Sequence, residues 1–402
     1  MRHVNGLTLS LAAVFIFVVP DCAWAYKLNP CLRVLTYEKY LLGQEPIRMR
    51  NLCGRAPEQY RNGAVHEHMT NFAIDEYRGE GFLTNERKRP GKEQKRNYMM
   101  EPEWSKAPHS VKHKHYALIY GTWWNDDPLM YTWGSLWDFN HGLGLLKRQF
   151  ANVDGYYEGG VRSCKVASDD FLGRASHYGR MQYLHFMTDR KIKDSVNESD
   201  RLDDTISQSL TWIAFAYQVA IGERKPDAAL TVRDEETLGL PSIAKNYCLQ
   251  DPGNAKVRTL FARAGLPIDV RNAITPDVAL GSIFHLVQDS FSPGHTCRVE
   301  MKVNGQSVAA LSRVYNYTEQ DPGKHGMHDG YPGWLLTYAI GGEHVYANDP
   351  IAVSTWLLEA VDSQKPWDEV RTHLLNTVFV KQPANAPEQQ CIGNHGLVTG
   401  MR

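Results

Sequence analysis

Residues 276–293 constrain this chain more than any other stretch. Pro276 and Asp277 suit the opening of a helix, Leu280, Ile283, Phe284, Leu286 and Val287 make it strongly apolar, and Pro293 forbids its simple continuation. His285 and Asp289 nevertheless sit inside it. Residues four apart share a helix face, so this imidazole and this carboxylate point at one place. The turn after Pro293 brings His295 round to the same cluster. Imidazole plus carboxylate is the ligand mix of zinc in hydrolytic sites, where one position stays open for water. An ordinary polar helix face would not set His285 between Phe284 and Leu286.

Helical periodicity recurs elsewhere. Residues 66–77, 171–187 and 206–220 carry apolar side chains at helical spacing, and Gly222 is a natural stop for the third. Residues 353–361 and 367–378 read as two closing helices. These segments predict an all-α, multi-helix fold with loop insertions. Loops are expected at 79–99, which holds the Arg87–Arg96 run of basic residues, and at 129–168, an aromatic and glycine-rich irregular insertion. There is no internal repeat.

The N-terminus reads as an address. Arg2 and His3 precede an apolar run over 7–19, and Ala23-Trp24-Ala25 offers small residues to a signal peptidase. The run is too short to span a bilayer. A signal peptide over 1–25 and a single α-helical domain over 26–402 are expected, in a secreted or periplasmic protein. Cleavage leaves Cys31, Cys53, Cys164, Cys248, Cys297 and Cys391, enough for up to three disulfides of unassigned pairing. None stands in a C-x-x-C pair, which argues against thiolate zinc sites. With 44 basic and 45 acidic residues the net charge is -1, so no global field draws in nucleic acid or an anionic membrane.

The spacing H-x-x-x-D-x-x-x-P-x-H from His285 to His295 resembles the signature of the zinc-dependent phospholipases C, a fold shared with the single-strand-specific zinc nucleases. The resemblance implies that His285 and Asp289 bind one zinc, that Asp289 bridges to another, and that His295 binds a third. It implies that His325 and Asp329 complete the site of His295, with His328 competing for the role. His66-Glu67-His68-Met69-Thr70-Asn71 resembles the family's first helix, with His66 the matching ligand and His68 the decoy. Trp124-Asn125-Asp126 resembles its W-x-D element. This makes Asp126 a ligand and the catalytic group that orients or deprotonates the attacking water. His185, in Tyr183-Leu184-His185-Phe186, matches a His-Phe pair; His141 and His177 are the alternatives. The resemblance covers segments between residues 66 and 329. It departs at the mature terminus, whose α-amino group binds zinc in the family. About 40 residues separate Tyr26 from His66 here, so two or three zinc ions are expected rather than a settled three.

What the resemblance implies is hydrolysis of a phosphodiester by a metal-activated water, with a phosphatidylcholine-like phospholipid at a lipid surface as substrate. Abundant aromatic faces suit a quaternary ammonium headgroup. One rival is a single-strand-specific zinc nuclease, with charge from the Arg87–Arg96 run. Another is a non-catalytic exported protein in which zinc only holds helices together.

Overall fold

A computed structural model of the chain describes residues 65–78, 117–128 and, with short gaps, 155–392. In chain order it contains α1 (Val65–Arg78), a helical turn over 117–121, the strands β1 (Gly155–Gly159) and β2 (Arg162–Val166), α2 (Leu172–Tyr178) and a 3-10 turn (Gln182–His185). There follow α3 (Glu198–Ala220), α4 (Val232–Thr237), α5 (Ile243–Asn246), α6 (Val257–Phe261) and α7 (Ile268–Asp289). Strands β3 (Thr296–Val303) and β4 (Gln306–Val314) precede α8 (Gly333–Gly341), α9 (Pro350–Asp362) and α10 (Trp367–Asn376). The expected signal peptide, the Arg87–Arg96 run, His141, Asp329, Cys31, Cys53 and Cys248 lie outside the described residues.

The chain is helix-rich, as its periodicity predicts, but not purely helical. Two antiparallel hairpins, β1–β2 and β3–β4, correct the all-α expectation. In the second, Asn304 and Gly305 hold φ of 51 and 81°, the left-handed pair that a two-residue hairpin turn requires. The first falls within the expected irregular insertion at 129–168.

Two helix boundaries also differ from the sequence reading. α7 begins at Ile268 and runs through Pro276, because Val270 and Ile274 upstream are buried and their packing outweighs one missing backbone hydrogen bond. The expected helix over 171–187 breaks after Tyr178. Gly179 is extended, and the 3-10 turn closes at Phe186 with a left-handed φ of 50°. His177 and His185 therefore belong to different elements, not to successive turns of one helix.

Capping follows the sequence closely. Asn197 accepts from Asp200 N at the start of α3, and Gly222 past its end takes φ 80°. Asp349 caps α9 through Ile351 N and Ala352 N, with Pro350 at the first helical position.

α3 and α7 form the centre of the core, and α1 packs on α9. Trp124 stacks on Trp212 with centroids 4.9 Å apart and donates Nε1–H to Leu260 O at 2.9 Å. Each such fully buried aromatic contributes roughly 1.5–3 kcal/mol of transfer free energy. The 117–121 turn crosses α7 at close range. A Cβ on Gly281 would stand 2.3 Å from Leu118 O, and one on Gly121 would stand 2.5 Å from Val278 O. Only glycine allows the two backbones this approach, which sets Thr122 to Asp127 against the middle of α7.

The disulfide Cys297–Cys391 holds the C-terminal segment to β3, where Ile392 N also donates to Arg298 O at 2.7 Å. Among the described residues no helix is long and apolar enough to cross a membrane.

Candidate metal centre

Four segments converge on the C-terminal half of α7. α1 supplies His66, the turn after residue 121 supplies Asp126, α2 and the 3-10 turn supply His177 and His185, and α7 supplies His285 and Asp289. Six side chains form two groups whose ligand atoms lie within 4.8 Å of one another: His66, His285 and Asp289; and Asp126, His177 and His185. All are buried, and each group can hold a metal ion.

The hydrogen-bond pattern fixes which nitrogen of each imidazole faces inward. His285 Nδ1 donates to Thr122 O at 2.5 Å, His295 Nδ1 to His185 O at 2.6 Å, and His177 Nδ1 to Gly173 O at 2.9 Å. Gln288 Nε2 donates to Thr70 Oγ1 at 3.0 Å, which leaves its Oε1 to accept from His66 Nδ1 at 2.6 Å. His325 Nδ1 bonds Gln320 Oε1 in the same way. Five imidazoles thus spend Nδ1–H on an oxygen and leave Nε2 as the nitrogen available to a metal, the arrangement by which proteins orient metal-binding histidines.

The lone pairs meet carboxylates where a proton should stand between them. His285 Nε2 is 2.8 Å from Asp289 Oδ2, and both are 2.9–3.1 Å from His185 Nδ1. One imidazole proton cannot serve two acceptors facing each other. A second proton on His285 is disfavoured, because burial lowers its pKa against the opposing pull of Asp126 and Thr122 O. Burial likewise, reinforced by neighbouring imidazoles, holds His185 and His295 well below the ordinary histidine value. His325 falls to about 3, chiefly through burial. Neither oxygen of Asp126 accepts a hydrogen bond, and His185 Nε2 and His295 Nε2 have no hydrogen-bond partner. With His185, His285 and His295 disfavoured as cations, the buried carboxylates are short of positive charge, and a divalent cation would supply it. His66 Nε2 and Asp289 Oδ1 lie 3.3 Å apart, close to the roughly 3.4 Å between ligand atoms of a tetrahedral zinc with ~2.1 Å bonds.

The sequence-derived candidates divide as follows. His66, His285 and Asp289 come together, and so do Asp126 and His185. His177, weighed as a replacement for His185, stands beside it: its Nε2 is 3.8 Å from Asp126 Oδ1, against 3.9 Å for His185 Nδ1. His295 joins the rim of the centre, with Nδ1 3.6 Å from Asp289 Oδ2. Its ring stacks on His325 at 5.1 Å, and neither belongs to the two groups of ligand atoms found among the described residues. His68 contacts Phe72 and belongs to neither group.

Three contributors escaped the sequence reading. Gln288 orients His66, and Tyr317 packs against the rings of His177, His185, His295 and His325 at 4.8–5.8 Å. Asn125 is the clamp. Its Nδ2 donates to Leu184 O at 2.7 Å, and its Oδ1 accepts from Ser282 Oγ at 2.7 Å. Ser282 Oγ in turn accepts from Trp212 Nε1 at 3.0 Å. One amide therefore fixes Asp126, His185 and His285 relative to one another.

The fold and site define a helix-rich protein with a buried histidine–aspartate centre fit for two metal ions. In comparisons with known proteins, no family model, no curated protein and no solved structure matches the chain.

Proposed function

We propose that this protein is an exported zinc-dependent phosphodiester hydrolase of the phospholipase C type, acting on phospholipid headgroups. The observation that carries the reading is the convergence of buried imidazole nitrogens on Asp126 and Asp289 in two groups of metal-ligand spacing. Oxygen and imidazole donors without thiolate suit zinc in hydrolytic rather than structural sites. His66, His285 and Asp289 would hold one ion, and Asp126, His177 and His185 a second. Asp289 also faces His185, which suits a bridging carboxylate, and His295 with His325 offers donors for a third. Zinc supplies Lewis-acid polarisation of a phosphoryl oxygen and acidification of water. The chain's own part is to hold His185, His285 and His295 neutral by burial and to place Asp126. With no hydrogen bond to either oxygen, Asp126 can take a proton from an attacking water. The Cys297–Cys391 disulfide supports passage through an oxidising compartment.

The deciding experiment is elemental analysis of the purified protein, combined with turnover of phosphatidylcholine and of single-stranded DNA. Two or more zincs per chain with preferential phospholipid cleavage support the reading. Preferential DNA cleavage would make it a nuclease. Burial of every donor favours a second reading, a zinc centre that only holds helices together. Retained zinc without cleavage of either substrate would establish it.

A further inference from the structure

On the face of α3 turned away from α7 lies a groove of about 540 Å³, walled by α3, α4 and α10. Its floor is apolar: Ile206, Leu210, Phe215, Trp367 and Leu375. Its charges are not balanced. Asp234 is taken by Arg224, 2.5 Å away, and Asp203 by Lys381 at 2.6 Å. Arg233 and Arg371 also line the groove, both exposed, and neither forms an ion pair among the described residues. The chain as a whole is near neutral, so these two unpaired guanidinium groups are a local feature, not a share of a general positive field. Beside Arg233 in the chain stands Val232, at 64% exposure the most exposed large hydrophobic among the described residues.

Unpaired arginines and a half-buried tryptophan lining one groove, with an exposed aliphatic residue next to Arg233 in the chain, are the ingredients of an interfacial anchor. The aliphatic group enters the acyl boundary, tryptophan sits at headgroup depth, and arginine forks bind phosphate in pairs. We infer that this groove is a second, non-catalytic site that docks the protein on an anionic phospholipid surface, with Arg233 and Arg371 on the headgroup phosphates and Val232 inserted beside them. The site is independent of the metal centre's chemistry. α3 separates the two, presenting Trp212 to Ser282 on one side and Leu210 to the groove on the other.

Co-sedimentation of the full chain with vesicles tests it, comparing phosphatidylcholine alone with phosphatidylcholine containing phosphatidylglycerol. The parent should partition preferentially onto the anionic vesicles, and added salt should weaken that binding. Each cation near such a surface is worth about fivefold, so an Arg233→Gln/Arg371→Gln variant should partition about 25-fold less. Val232→Ser should weaken binding at high salt as well as low. Both arginines are exposed, so circular dichroism and thermal melts should match the parent. Equal partition onto the two vesicle types, or a double variant that binds like the parent, would overturn the proposal. So would displacement by inorganic phosphate or by a single-stranded oligonucleotide at concentrations that leave the vesicle surface unsaturated, since each would show a soluble-anion site.

Discussion

Asp289→Asn preserves side-chain size and removes one charge at the point where four imidazoles meet. Its Oδ2 lies 2.8 Å from His285 Nε2, 2.9 Å from His185 Nδ1 and 3.6 Å from His295 Nδ1, while Oδ1 lies 3.3 Å from His66 Nε2. Losing only the partner behind a metal ligand costs roughly 10–100-fold in affinity, so losing this carboxylate should cost at least about 100-fold. With free zinc a thousandfold above Kd, binding stabilises the fold by about 4 kcal/mol. A hundredfold weaker site leaves about 1.4 kcal/mol. The missing ~2.7 kcal/mol should lower the zinc-loaded Tm of a chain this long by roughly 3–4 °C. In the metal-free protein the same substitution works in the other direction. It removes a buried negative charge whose neighbouring imidazoles burial keeps neutral, so the metal-free Tm should hold or rise. Thermal melts with zinc and with chelator read both signs in one experiment, and elemental analysis gives the zinc retained. Asp227→Asn, at an exposed loop position, is the control and should change neither. An Asp289→Asn protein with full zinc content and an unchanged zinc-induced shift would refute the bridging role. A metal-free variant that is strongly destabilised would show that Asp289 serves the fold instead.

Asn125→Leu strands Ser282 Oγ and Leu184 O, so unfolding in urea should show about 1–3 kcal/mol lost for each buried group left unpaired, and zinc titration should show weaker binding. Gly281→Ala drives a methyl to 2.3 Å from the Leu118 carbonyl, where backbone must move; a loss of about 1–3 kcal/mol or more and reduced zinc content are expected from denaturation and elemental analysis. His344 joins Glu76 of α1 to Asp349, the cap of α9, at 3.1 and 2.8 Å. Burial opposes its charge, but these two hydrogen bonds outweigh it and raise the pKa to about 10. Its stabilising effect is therefore complete below the unfolded value near 6.5 and fades as pH rises toward about 10. Tm against pH should decline across that window in the parent and stay flatter in His344→Gln.

What the sequence makes legible here depends on how local the physics is. α1, α3, α9 and α10 declare themselves because each carries a continuous apolar face, and His285 with Asp289 because one helix alone makes them neighbours. The β3–β4 hairpin carried a signal of the same local kind: Val299, Met301 and Val303 alternate with Arg298, Glu300 and Lys302 ahead of Asn304-Gly305. His177 and His185 are a different matter. Eight residues apart, they would share a face of a regular helix, but the chain leaves the helix at Gly179, and they reach one carboxylate by separate routes. Least visible of all are the groups that orient the ligands. Thr122 O and His185 O are backbone atoms with no residue-type signature. Asn125 lies in an Asn-Asp-Asp-Pro run that reads as a turn, and its partners are 59 and 157 residues away. A metal site's ligands must be chemically special, so composition and spacing betray them. Its supports need only be in the right place, and place is a property of the fold.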